Sequence, residues 1–264
     1  MTDLKKSSGT KTRVVVYTAI FGDKDNLAVP LNFGFESDFK LELICVSDNK
    51  NLDSTYYKII RSKRVYRDLA KNARNIKING FDGIQEFDVA IWHDSSMAFD
   101  CSRINELVAF SRSHAISTFK HQESCLYREA IVCIQLQKDT PIRITTQMFR
   151  YFRDGLAANS GQFETGVVVT RVKDFGVSEL RQKWWDEVLK GSRRDQLALG
   201  FVWYCLKDKE DIGILPGSGH DNNYTKYIGH NYDYYLFNGI QLNFDSKLLR
   251  KLCTMLLYAM RRRR

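Results

Sequence analysis

The sequence predicts an α/β fold in which a mostly parallel central sheet is flanked by helices. Short apolar segments rich in β-branched residues alternate along the chain with longer segments of helical periodicity. That alternation is typical of parallel strands joined by helical crossovers. Only three prolines occur in 264 residues, and no Gly/Ser/Pro-rich linker divides the chain. We therefore expect a single domain with one core.

The first strand is predicted at residues 13–20, where an apolar run containing Val14, Val15 and Val16 precedes a polar turn. The same criteria predict further strands at 40–46, 56–61, 89–94, 115–120, 167–171 and 212–215. Apolar residues at helical spacing predict helices at 67–79, 102–111, 125–137, 142–154, 177–190 and 194–206.

The two ends of the chain differ in composition from the domain predicted at 13–245. Residues 1–12 are polar and rich in Lys and Ser, so we expect them to be disordered. Residues 246–264 predict a basic amphipathic helix that ends in four arginines. One side of that helix carries Leu248, Leu249, Leu252, Met255, Leu256 and Ala259. The pattern fits a helix lying on an anionic membrane surface, and equally a helix docked on the core with a solvated basic tail.

The net charge of +9 suggests an anionic partner, such as a nucleic acid, a membrane surface or a phosphorylated substrate. Apart from the terminal arginines the basic residues are dispersed, which argues against a nucleic-acid partner. The six cysteines form no Cys-x-x-Cys pair and are expected to be reduced and buried. No apolar run approaches the ~20 residues that cross a bilayer, and no secretory signal begins the chain. We expect a cytoplasmic protein, either free or peripheral on the inner face of the cytoplasmic membrane.

The fourth predicted strand ends in Asp94-Ser95-Ser96, and ligands of α/β sheets bind at such strand ends. A carboxylate there can hold Mg²⁺ or Mn²⁺, although Asp is also an ordinary strand terminator. Strand alternation places Asp94 and Ser96 on one side and His93 on the other. No Gly-x-Gly-x-x-Gly or Walker motif occurs, which argues against dinucleotide enzymes and P-loop NTPases.

Other candidates lie elsewhere along the chain. Arg67, Lys71, Arg74 and Lys77 share one face of a predicted helix, which is either a phosphate-binding edge or a solvated surface. Glu164 lies in a glycine-containing loop predicted at 155–166, which either reaches a cleft or stays on the surface. Asp195 and Gln196 begin a predicted helix. A further metal ligand could come from His220 or His230, two histidines that flank a predicted late loop at 217–231.

The order of these motifs resembles the glycosyltransferase-like family typified by the plant turgor-regulation-defect and mucilage-related proteins. The motifs are residues 17–22 with Asp25, 73–74, 77–78, 91–96, His121 with 125–130, 164–166, Arg171, 184–185 and 194–196. More distantly, the chain is similar to the glycogenin and lipopolysaccharide galactosyltransferase group, in which an Asp-Gln pair follows a metal-binding strand end. One departure is that the usual Asp-x-Asp is Asp94-Ser95-Ser96 here. Another is that residues 120–124 lack an arginine found in the family.

The resemblance implies a GT-A fold and a nucleoside-diphospho-sugar donor, and we expect this donor to be a UDP-sugar. By position it assigns Thr18, Ala19 and Ile20 to the nucleotide, Arg74 and Lys77 to the diphosphate, and Gln196 to the donor. It assigns Mn²⁺ or Mg²⁺ to Asp94. The residue patterns above add Ser96, on the same side of the strand, and His220 or His230 as a further ligand. Asp195 and Glu164 are the expected catalytic residues.

The resulting hypothesis is transfer of a hexose to a glycan or lipid-linked acceptor, for example in cell-surface polysaccharide synthesis. Two rival hypotheses are a nucleic-acid-binding protein and a membrane-associated scaffold, both without catalysis.

Overall fold

A mixed seven-stranded sheet forms the centre of the protein. The computed structural model describes residues 11–23, 25–36, 38–206, 212–229 and 245–263. The sheet is built from β1 (Arg13–Ile20), β2 (Lys40–Ser47), β3 (Lys58–Arg61), β4 (Val89–His93), β6 (Ile116–Lys120), β7 (Phe163–Arg171) and β8 (Ile212–Leu215). Their order across the sheet is β3-β2-β1-β4-β7-β6-β8. All neighbours pair in parallel except β7, which is antiparallel to both β4 and β6. The predicted α/β class with a mostly parallel sheet is confirmed.

Both faces of the sheet are buried. Along β1, Val15, Tyr17 and Ala19 belong to one apolar cluster, whereas Val14 and Val16 belong to a second cluster on the opposite face. Strands that are buried on both sides need apolar residues at every position, which explains the uninterrupted run that predicted β1.

Seven helices occur in the described ranges: α1 (Leu69–Asn79), α2 (Ile104–Ser113), α3 (Leu126–Gln135), α4 (Pro141–Arg153), α5 (Phe175–Lys190), α6 (Asp195–Leu206) and α7 (Asp245–Arg262). Helices α1, α5 and α6 pack on one face of the sheet, and α2 packs on the other. Local signals set the start of α1 and α4, because Asp68 and Thr140 accept hydrogen bonds from the first free backbone N–H groups. Trp184 and Trp185 of α5 are buried in the core.

Two predicted loops contain strands. Strand β7 begins at Phe163, so residues 163–166 of the predicted loop at 155–166 belong to this strand. The predicted late loop at 217–231 contains β9 (Thr225–Tyr227), which pairs antiparallel with β5 (Met97–Phe99). Strands of three residues are too short for a period-two pattern to distinguish them from loops.

Helix α7 packs against α3 and α4 and completes a third apolar cluster. Its buried residues are Cys253, Leu257 and Met260. Docking on the core is therefore one of the two arrangements that the sequence allowed. Of the predicted apolar side, Leu249 packs against this cluster, whereas Leu248, Leu252, Met255 and Leu256 are exposed. In the ranges that the structure describes, no helix is both long and apolar enough to cross a bilayer.

The cysteines and the N-terminus bear on two further predictions. All six thiols are free, and all are buried except Cys205, which is exposed. Residues 1–10 of the predicted disordered segment lie outside the described residues, while the carbonyl of Thr12 accepts a hydrogen bond from Lys40.

Candidate functional site

A cavity of about 340 Å³ lies where β4 ends. Its walls come from α1, the turn after β4, the first half of β7, the start of α6, the outer side of α3 and the loop at 219–220. The lining residues that carry polar or charged groups are Arg74, Asp94, Ser96, His121, Glu129, Cys133, Lys138, Glu164, Thr165, Arg194, Asp195, Gln196, His220 and Tyr227. The cavity is thus strongly polar and contains both signs of charge.

A tight turn after β4 presents Asp94 to the cavity. The backbone N–H of Asp94 donates to Gly166 in β7 at 2.9 Å, and the N–H of Met97 donates back to the carbonyl of Asp94 at 3.0 Å. The hydroxyl of Ser95 donates to Asp25 at 2.6 Å, which ties this turn to the segment after β1. The turn is therefore held on both sides, and the Asp94 carboxylate has a defined position.

His93 lies on the other side of β4, away from the cavity. Its side chain is fully buried, with Nε2 at 3.2 Å from the Tyr57 hydroxyl and Nδ1 at 3.2 Å from the Asp94 carbonyl oxygen. Burial lowers the pKa of His93 to about 4, so the imidazole is neutral at pH 7. Its role is structural support of the strand end.

Four charged side chains, hereafter the charge cluster, meet at the base of the cavity: Arg74, Lys77, Asp94 and Asp195. Lys77 Nζ lies 2.6 Å from Asp195 Oδ2 and 3.5 Å from Asp94 Oδ1. Arg74 reaches both acids as well, with Nε at 2.9 Å from Asp195 Oδ1 and Nη1 at 3.2 Å from Asp94 Oδ1. Each cation therefore contacts both carboxylates.

The acids of the charge cluster differ in access to the cavity. The Asp195 side chain is 1% exposed and also accepts a hydrogen bond from Thr165 at 2.7 Å. The Asp94 side chain is 25% exposed. In the described part of the chain, the contacts to Asp94 from Arg74, Lys77 and the Trp92 indole all reach Oδ1. Oδ2 of Asp94 is consequently the carboxylate oxygen best placed to meet a ligand.

The four groups of the charge cluster shift one another's pKa values. Burial by itself raises the pKa of Asp195, but the charges of Arg74 and Lys77 outweigh it and hold this pKa far below its usual range. The pKa of Asp94 is likewise lowered, because Lys77 and Arg74 outweigh the effect of burial. Burial lowers the pKa of Lys77, and the two aspartates partly offset that effect. Buried charges are tolerated when they are paired in this way.

Helix α1 supplies both cations because Arg74 and Lys77 lie one helical turn apart on its inner side. The Tyr17 hydroxyl of β1 donates to the carbonyl of Lys77 at 3.0 Å, which fixes this turn of α1 against the sheet. Arg67 of the same predicted basic face is exposed. The predicted basic face is thus divided: Arg74 and Lys77 point inward, whereas Arg67 lies in solvent.

The structure does not bring Thr18, Ala19 and Ile20 to the cavity. Their side chains are buried at the end of β1, where the backbone pairs with β2 alone, because β4 pairs only with Val14–Tyr17. The assignment of these three residues to a nucleotide stays a prediction.

The remaining predicted site residues line the cavity, with one exception. Glu164 accepts a hydrogen bond from the backbone N–H of Gly219, so it anchors the loop that carries His220. Gln196 accepts a hydrogen bond from Arg194 at 2.5 Å. Ser96 and His220 also line the cavity. His230 lies outside the described residues.

The sequence patterns did not predict one wall of the cavity, which contains Lys138. Lys138 and Arg194 line it, near Glu129 and Cys133. Burial lowers the pKa of Lys138, and the charge of Arg194 adds to that effect. His121 and Glu129 belong to motifs that the sequence showed, but no spacing connects Lys138 with Arg194, which are separated by two helices and a strand.

A mostly parallel sheet thus carries a polar cavity and a charge cluster at the end of β4, and the family comparison identifies the class of protein as a glycosyltransferase. The chain matches the model of the TOD1/MUCI70 glycosyltransferase-like domain over residues 1–216. It belongs to that family.

Comparison with curated proteins finds no match to the chain. Among solved structures, similar ones include the apo structure of the bifunctional glycosyltransferase WbbM, with 11% identity and a TM-score of 0.43. That match covers 80% of this chain and 40% of WbbM. Mouse xyloside xylosyltransferase 1 in its apo form has 13% identity and a TM-score of 0.43, with 78% of this chain and 85% of that chain covered.

Proposed function

We propose that this glycosyltransferase moves a hexose from a nucleoside-diphospho-sugar, in the first instance a UDP-sugar, to a glycan or lipid-linked acceptor. The observation that supports this most is the charge cluster at the base of the cavity. A diphosphate leaving group accumulates negative charge as the bond between the anomeric carbon and the phosphate oxygen breaks. A pre-positioned cation such as Arg74, which lines the cavity, stabilises that charge without reorganising.

The side chains at the end of β4 fit a divalent cation of the Mg²⁺ or Mn²⁺ type. Among the described residues no three His, Cys, Asp or Glu side chains form a complete ligand group. Mg²⁺, however, is commonly bound through one or two carboxylates together with substrate phosphates and water. Asp94 Oδ2, with Ser96 and His220 on the same cavity, would hold such an ion against the donor diphosphate. The ion would supply Lewis-acid stabilisation of the departing diphosphate.

The other residues of the charge cluster position the reactive ones. Asp195 contacts both cations and is almost fully buried, so it keeps Arg74 and Lys77 charged and in place. We therefore assign it a positioning role in the proposed reaction. Glu164 and Gln196 line the adjacent wall, where they are suited to bind hydroxyls of the donor sugar or the acceptor. A role in cell-surface polysaccharide synthesis at the cytoplasmic side of the membrane is part of the same proposal.

Donor hydrolysis by the purified full-length chain tests the role of Asp94. The Asp94→Ala variant and the wild type are assayed with a panel of nucleotide sugars, with Mn²⁺ and with a chelator. Loss of one preorganised electrostatic group at the reacting centre predicts a fall in turnover of about 10²–10³-fold. Chelator should lower wild-type turnover and leave the residual turnover of Asp94→Ala unchanged.

Asp82→Asn is the matched control, because Asp82 is an exposed aspartate outside the cavity. Its turnover should equal that of the wild type. Undiminished turnover of Asp94→Ala would remove Asp94 from the mechanism. Turnover that resists chelator in the wild type, while Asp94→Ala is impaired, would show that fixed cations suffice without a metal. A thermal-shift screen with the same donors identifies the nucleotide, because a ligand of the folded state raises its apparent stability.

A further inference from the structure

Helix α7 presents three different sides. One side packs on α3 and α4 through Leu249, Cys253, Leu257 and Met260. A second side, hereafter the outer stripe, carries Leu248, Leu252, Met255 and Leu256, which are 64%, 50%, 58% and 53% exposed. Their spacing of three and four residues places them together on the helix surface. The outer stripe is therefore a continuous apolar surface on a helix that is already docked.

The third side of α7 is basic. Lys247, Lys251 and Arg262 are exposed, and at 100° per residue they lie next to the outer stripe, away from the docked side. From residue 247 to residue 263 the helix contains no acidic residue, whereas its basic residues are Lys247, Arg250, Lys251, Arg261, Arg262 and Arg263. Apolar and cationic surfaces are thus adjacent near both ends of the helix.

The chemistry of these two sides selects one kind of occupant. A second copy of the outer stripe would bring two sets of cations together, with no acidic residue between positions 247 and 263 of either chain, and that repulsion opposes a dimer. A nucleic acid would neutralise the cations but leave the leucines in water. An anionic bilayer accepts both surfaces, because the leucines enter the acyl boundary while the basic side chains reach the headgroups.

We propose that the outer stripe of α7 docks on an anionic membrane surface while the opposite side of α7 stays packed on α3 and α4. This surface is independent of the catalytic proposal. A consequence that does rest on the proposed function concerns the acceptor. Helix α3 contacts α7, and its residues Val132 and Cys133 line the cavity together with Leu136, which directly follows the helix. One helix, about 10 Å wide, therefore separates the docking helix from the cavity, which favours an acceptor held at the membrane.

Vesicle co-sedimentation of the full-length chain tests the docking surface. The vesicles are phosphatidylcholine alone and phosphatidylcholine with one third phosphatidylglycerol. The test variant is Leu252→Gln/Met255→Gln, and the matched control is Val65→Gln/Phe175→Gln, which changes two still more exposed apolar residues away from α7. We expect the wild type and the control to bind the anionic vesicles at least about tenfold more tightly than the neutral ones. The test variant should bind the anionic vesicles at least about tenfold more weakly than the wild type.

Three outcomes would overturn the proposal. They are equal binding by the test variant and the wild type, absence of wild-type binding to anionic vesicles, and a wild-type dimer in solution that the test variant dissolves. The last outcome would assign the outer stripe to a second copy of the chain. Unchanged thermal unfolding of the test variant confirms that the fold is intact. Its donor hydrolysis in solution should match that of the wild type, which separates a failure of membrane docking from a failure of the catalytic proposal.

Discussion

The charge cluster and the outer stripe of α7 invert the usual distribution of residues in opposite ways. In the charge cluster, Lys77 and Asp195 are charged groups with almost no exposure. In the outer stripe, four large apolar side chains are at least half exposed. Lys and Asp are rarely fully buried unless they are paired, and contiguous exposed apolar surfaces mark contacts with other molecules. Burying charged groups and exposing large apolar side chains both cost free energy, and a stable fold does not need either arrangement.

The two regions differ in how that cost is met. In the charge cluster the compensation is internal, because each cation contacts two carboxylates within the same chain. In the outer stripe the four apolar side chains are at least half exposed, and in our proposal the compensation comes from a membrane surface. Removing a member should therefore destabilise the protein strongly in the first region and hardly at all in the second.

The largest effect is expected for Asp195→Asn. The substitution conserves size but leaves Arg74 and Lys77 buried with Asp94 as their remaining partner, and breaking a buried pair costs about 3–5 kcal/mol. Denaturant unfolding at pH 7 measures the free energy of unfolding, with Asp82→Asn as the exposed control. A loss as small as that of the control would mean that the buried cations do not depend on Asp195.

A smaller contrast is expected between two leucines of α7. Leu257 is fully buried on the docked side, and Leu257→Ala should lower the free energy of unfolding by about 2–5 kcal/mol. Leu252 belongs to the outer stripe, and Leu252→Ala should change it by no more than about 0.5 kcal/mol. Parallel thermal and denaturant unfolding of the two variants decides the matter. Similar losses for both would show that the outer stripe is already covered within the molecule.

The smallest effect is a pH dependence that arises from His93, which the protein buries uncharged instead of pairing it. Because the folded-state pKa, about 4, lies below the ordinary value of 6.5, the unfolded chain takes up the proton first as pH falls. The stability contributed by neutral His93 is therefore complete above pH 6.5 and decreases as pH falls from 6.5 towards 4. Between pH 6.5 and pH 5 the expected loss is about 2 kcal/mol.

His93→Gln should remove this part of the pH dependence, and His220→Gln should retain it, since His220 is exposed. Urea unfolding at several pH values from 5 to 7.5 gives the comparison. Identical slopes for His93→Gln and the wild type would assign the pH dependence to other groups.

The sequence predicted the elements of the sheet because each strand has its own local signal. Strands β1 and β8 were predicted at their observed bounds, and β2, β4 and β6 were predicted within one residue, since buried parallel strands are apolar at nearly every position. Strands β5 and β9 were missed because each has three residues and depends on a partner more than a hundred residues away. The start of β7 was missed because Glu164 and Gly166 interrupt its apolar pattern.

For the site, the sequence identified single residues and the tertiary structure decided their partners. The strand end with Asp94 and the inner face of α1 were predicted from local patterns, as was the residue Asp195 at the start of α6. Their convergence on one cluster was not, because ion pairs between residues 77 and 195 have no periodicity in the chain. The assignment of Thr18, Ala19 and Ile20 to a nucleotide came from the resemblance and stays a prediction, since their side chains are buried and do not line the cavity.

The C-terminal helix shows the same division. From its sequence alone the helix was amphipathic and basic, and apolar residues at three- and four-residue spacing fit a docked helix as well as a membrane-bound one. Only the packing on α3 and α4 decided that Cys253, Leu257 and Met260 face the core, and that the outer stripe remains outside. The physical reason is that periodicity determines which residues share a side of a helix, whereas burial depends on which surfaces the rest of the chain brings to it.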